Sequence, residues 1–149
     1  MGLDCYIVHA NNRDEPFTHK DDERIKDVNL CGGMLSGGGS DGSFRGKVYE
    51  PLLDELMNTM GIWHKGEEDD YIVSADELKE QANALANFIQ GKIEYIEDTG
   101  ETYDDETIID IPVQPLHGRF AEYTLGELKD LETLLRVASE RKAVMCVWY

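Results

Sequence analysis

Thr124-Leu-Gly-Glu-Leu-Lys-Asp-Leu-Glu-Thr-Leu-Leu-Arg-Val-Ala-Ser-Glu-Arg-Lys-Ala-Val-Met-Cys-Val-Trp148 joins two hydrophobic patterns of different period. In the first, Leu128, Leu131, Leu135 and Ala138 recur at helical spacing and share one face. Thr124 and Glu127 stand at the spacing of a capping box, in which each side chain satisfies a backbone N–H that the first helical turn leaves unpaired. The second pattern, Ala143 to Trp148, is an unbroken apolar run of strand length and reads as a strand buried in the middle of a sheet.

The rest of the chain supplies partners for both. Leu3 to His9 is rich in β-formers and predicts a first strand. Asn11 to Asp27 is polar, holds Pro16, and reads as a long loop or a weakly formed helical turn. Phe44 to Tyr49 and Tyr71 to Val73 read as short strands. Pro51 suits the first turn of a helix that carries Leu52, Leu53, Leu56 and Met60 on one stripe and stops at Gly61. Ser74 and Glu77 predict a second capping box, opening a helix with Leu78, Ala82, Leu85 and Ile89 inside and Gly91 as its stop. Lys92 to Ile96 and Thr107 to Ile111 are expected to form a hairpin around the acidic tip Glu97 to Glu106. The expected fold is therefore a single α+β domain over residues 1–149, with a mixed or antiparallel sheet and about three helices packed on it. The terminal aromatics Trp148 and Tyr149 are expected in the core, with pairing of an exposed last strand across a two-fold as the alternative.

Composition narrows the partners. The net charge is −17, from 31 acidic and 14 basic residues. Binding to phosphate backbones needs clustered Lys and Arg, so direct contact with nucleic acid and anionic membrane is not expected. A basic protein or a small anionic ligand remains. No apolar run approaches the ~20 residues of a membrane-spanning helix, and the first residues lack a secretory pattern. Cys5, Cys31 and Cys146 are few, odd in number and widely spaced, which fits reduced thiols in a cytoplasmic protein.

Seven of the 14 glycines lie between Gly32 and Gly46. Gly37-Gly38-Gly39-Ser40-Asp41-Gly42 fits G-x-G-x-x-G, but no helix pattern follows it, as a dinucleotide site requires. Gly38 to Gly42 also fits G-x-S-x-G and lacks the strand and helix of a nucleophile elbow. What remains is an anion nest, in which Gly37, Gly38, Gly39, Ser40 and Gly42 offer N–H groups and Arg45 and Lys47 add positive charge. His117, in the irregular segment Pro115 to Arg119, and His9, at a strand end, are the candidate titrating groups for such a site.

No metal or cofactor is expected. Cys5 and His9 share a strand face but lie ~13 Å apart by the usual rise, too far to chelate one ion. The acidic run from Asp98 to Glu106 lacks the spacing of a calcium loop. The chain is expected to be an interaction or regulatory module without catalysis. The alternative is a small-ligand binder or small enzyme using residues 32–47 with His117 or His9.

Overall fold

The structure, a computed structural model, describes residues 4–30, 42–45, 49, 52, 70–112 and 120–148. Among the described residues its larger sheet has five strands: β1 (Asp4–His9), β2 (Asn12–Pro16), β3 (Ser43–Arg45), β4 (Asp70–Val73) and β7 (Val144–Trp148). All of its pairings are antiparallel. β7 runs between β1 and β4, as its unbroken apolar sequence predicts for a strand covered on both faces. Both of its edges are filled, so β7 cannot extend the sheet into a second copy, which removes that route to a two-fold.

The other edge of β1 is shared. β3 pairs with Asp4 to Tyr6, and β2 pairs with Val8 and His9, with a register irregularity between those two residues. β2 corrects the expectation of a loop at 11–16. All five of its residues are exposed, so no alternation marked it, and its extended form comes from pairing with β1. Its charges and Pro16 also suit an edge strand, because they discourage further pairing. The chain then makes one 3-10 turn, Glu23–Ile25, pinned to the core through Phe17, Ile25, Val28 and Leu30.

Two helices are described, α1 (Ala75–Asp98) and α2 (Leu125–Glu140), of 24 and 16 residues. The third expected helix, 51–60, lies outside the described residues apart from Leu52, which is fully buried. α1 does not stop at Gly91. One glycine inside a helix costs ~1 kcal/mol relative to alanine, and the apolar stripe Ile89, Ile93 and Ile96 continues past it into the core. Lys92 to Ile96 are thus helical, and the hairpin expected around Glu97 to Glu106 does not form. Instead β5 (Ile108–Pro112) pairs with β6 (Phe120–Thr124) in a separate two-stranded sheet.

Arg136 of α2 donates to Asn83 of α1, and the end of α2 shares a cleft with the start of α1, so the helices run antiparallel. They bury Leu78, Leu85, Leu128, Leu131 and Leu135 against Cys5, Ile7, Phe44, Val73 and Met145 of the sheet. The capping box at Thr124 and Glu127 forms in full. At Ser74 only half forms. The Ser74 hydroxyl accepts the Glu77 N–H at 3.2 Å, while Glu77 Oε2 is buried without a partner. No described helix is long and apolar enough to cross a membrane.

Candidate functional site

The start of α2 forms one wall of an open cleft of about 680 Å³. Its first two N–H groups are taken by the preceding turn: Leu125 donates to the Thr107 carbonyl and Gly126 to that of Asp105, each at 2.8 Å. These bonds carry Asp105 to the mouth of the cleft. The 3-10 turn and the residues after it bring Asp27, Asn29 and Leu30 to the opposite wall. Four carboxylates, those of Asp27, Asp105, Glu127 and Asp130, thereby face one space that contains a single cation, Lys129.

They are held differently. Glu127 is fixed twice, accepting the Thr124 N–H on Oε1 and the Tyr49 hydroxyl on Oε2, the latter at 2.6 Å. Tyr49 is itself fully buried, stacked on Tyr123 with centroids 5.8 Å apart. Asp105 meets Lys129 Nζ at 3.1 Å at the exposed rim. Asp130 accepts the Asn29 N–H at 3.1 Å. Partial burial raises its pKa above the usual carboxylate value; the Asn29 bond opposes this, and Asp105, Glu127 and Asp27 add to it. Asp27 has no hydrogen bond or ion pair among the described residues.

This arrangement suits a bulky cation better than a metal. Among the described residues no three acidic, histidine or cysteine side chains converge closely enough to hold an ion. A guanidinium or ammonium group can instead contact separate carboxylates across the cleft, with Leu30 in the wall for its apolar stem.

A second cleft, of about 670 Å³, lies between the start of α1 and the end of α2. Lys79, Arg136 and Lys142 line it, with Asp76 and Glu140. Glu140 pairs with Arg24, and Arg136 with Glu132. Lys79 and Lys142 have no ion-pair partner among the described residues.

Of the residues expected at an anion nest, Gly37, Gly38, Gly39, Ser40, Lys47 and His117 lie outside the described residues, as do Cys31 and His64. Gly42 is described. It is buried with φ +90°, its carbonyl accepts the Ile7 N–H at 2.7 Å, and a Cβ there would fall 2.2 Å from the Phe17 carbonyl oxygen. Arg45 lies in β3 opposite Asp4. His9 ends β1, with Nε2 3.2 Å from Asp21 Oδ2 but not aligned for a hydrogen bond, and its ring tilts against Phe17 at 5.6 Å. His9 thus meets the ring of Phe17, and Gly42 its backbone carbonyl. Asp27, Glu127 and Asp130 were not singled out from sequence as site residues. The capping box marked where α2 begins, but only tertiary packing brings Asp27 and Asp105 to it.

No protein-family model, curated protein or solved structure matches this chain.

Proposed function

We propose that this chain is a cytoplasmic interaction module, without catalysis, that binds a basic protein partner at the cleft where α2 begins. The supporting observation is the imbalance there: four carboxylates and one lysine, with Asp130 drawn partly out of water beside three like charges. An arriving arginine or lysine relieves that repulsion and finds acceptors already fixed by the Tyr49–Glu127 and Asn29–Asp130 bonds. The overall charge of −17 steers such a partner from a distance.

Calorimetric titration with an arginine-rich peptide, and with a neutral peptide of equal length, tests this. Binding of the basic peptide alone, weakened by salt and by the double variant Asp27→Asn/Asp130→Asn, is expected. Equal binding of both peptides, or binding indifferent to salt and to the double variant, overturns it.

A second reading, a small phosphate- or carboxylate-bearing ligand, is favoured by Lys79 and Lys142 at the other cleft. Inorganic phosphate that raises the melting temperature of the parent but not of Lys79→Gln supports it. No shift in either removes it.

A further inference from the structure

The C-terminal third of α1 holds two features that packing among the described residues does not explain. Gly91 sits inside the helix although glycine costs ~1 kcal/mol there relative to alanine. Among the described residues a Cβ built on it meets nothing within 4 Å, so no contact there demands its absence. One turn on, Tyr95 is 69% exposed, more than any other large hydrophobic side chain among the described residues. Its hydroxyl has no hydrogen-bond partner there. Residues four apart lie one above the other on a helix face, so the bare backbone at Gly91 and the ring of Tyr95 form a notch beside a knob. Asn87, Glu94 and Asp98 are the exposed neighbours on that side.

The surrounding charge says what can dock. From Gly91 to the end of α1 at Asp98 the helix carries three carboxylates, Glu94, Glu97 and Asp98, and a single lysine. Lys92 lies over the Phe88 ring at 5.4 Å. A second copy would bring the same carboxylates against each other, and a nucleic acid would bring phosphates. A segment with arginine or lysine around an apolar residue matches instead. Its apolar side chain enters the notch at Gly91, and its guanidinium groups lie on the Tyr95 ring and reach Glu94 and Asp98.

We propose that the Gly91–Tyr95 face of α1 is a docking surface for a basic, amphipathic protein segment. The proposal rests on the interaction reading above and names a surface outside the acidic cleft.

The test uses the whole chain and a helical peptide of arginine, leucine and alanine. Gly91→Leu fills the notch with a better helix former, and Tyr95→Ser removes an exposed ring. Each is expected to weaken peptide binding about tenfold, the effect of a moderate interface anchor. Gly91→Leu should do so while raising the melting temperature, which no loss of folding can imitate. Unchanged affinity in both variants, with binding abolished by Asp27→Asn/Asp130→Asn, overturns this surface and leaves the cleft reading standing. A parent that sediments as a dimer, dissociated by Tyr95→Ser, overturns it in favour of a second copy. A parent that binds no basic peptide removes the interaction reading as well.

Discussion

Asp22 and Arg141 stand 119 positions apart in the chain and meet at 2.8 Å, Arg141 Nε donating to Asp22 Oδ2. The same buried carboxylate caps the 3-10 turn through the Arg24 N–H and accepts two bonds from the Arg24 guanidinium. One acidic side chain, 5% exposed, thus ties the segment after β2 to the end of α2.

These bonds hold the Asp22 carboxyl well below the usual carboxylate range, Arg24 contributing most and Arg141 next. A lowered pKa contributes stability that is full above the unfolded value of ~4 and is lost as pH falls toward the folded one. Asp22→Asn should cost about 2 kcal/mol at neutral pH, within the range for hydrogen bonds to charged groups. The cost stays below that of a fully buried pair because both arginines are about half exposed and recover water. Urea denaturation of parent and variant is expected to show the gap at neutral pH and its narrowing below about pH 4.

Asp130 should behave with the opposite sign. Burial raises its pKa, so its charge opposes folding at neutral pH and the penalty fades as acid protonates it. Asparagine keeps an oxygen for the Asn29 N–H and removes the charge. Asp130→Asn is expected to stabilise the fold at neutral pH, with the gain shrinking as pH falls through the carboxylate range. A variant less stable than the parent at neutral pH would show that the carboxylate is needed to hold Asn29.

These two aspartates also mark what sequence could and could not convey. The strand 144–148 and the box at Thr124 and Glu127 were legible because each is a local pattern with a local cause. Gly91 misled because a stop signal was read without the stripe beyond it, where burial of Ile93 and Ile96 outweighs a cost of ~1 kcal/mol. β2 was invisible because its conformation is imposed by β1. The acidic cleft was invisible for a related reason. Asp27, Asp105 and Asp130 are ordinary solvated carboxylates in sequence; the backbone bonds from Leu125 and Gly126 bring Asp105 to the start of α2, and the segment after the 3-10 turn, held by the Asn29–Asp130 bond, brings Asp27. Gly42, expected to offer its N–H to a ligand, makes an internal contact through its carbonyl and Cα.

That contact gives a sharp stability prediction. Gly42 has φ +90°, and the space its Cβ would need is filled by the Phe17 carbonyl oxygen, a backbone atom tied by the Phe17 N–H to the Ile7 carbonyl at 2.9 Å. Alanine must therefore strain the backbone and push Phe17, a core residue, off β1. Gly42→Ala is expected to lose about 3 kcal/mol or more, combining the left-handed penalty with overpacking. A thermal melt within a degree of the parent would refute this close approach.

Lys142 offers the reverse case. It follows α2 with φ +56°, while its N–H donates to the Ser139 carbonyl at 3.0 Å and the Ala143 N–H donates to Ala138 at 2.9 Å. This is the Schellman closure, which glycine ordinarily occupies. A side chain in that conformation costs ~1 to 2 kcal/mol, and glycine's extra freedom in the unfolded chain returns ~0.5 to 1 kcal/mol of that. Lys142→Gly should therefore stabilise by about 0.5 kcal/mol, a rise of roughly 1 to 2 °C in melting temperature. The same change removes one of the two lysines of the second cleft that have no ion-pair partner among the described residues. If that cleft takes an anion, the variant melts higher than the parent in buffer alone, yet loses the further rise that phosphate gives the parent. A variant that gains in buffer and responds to phosphate as the parent does would confine Lys142 to ending the helix.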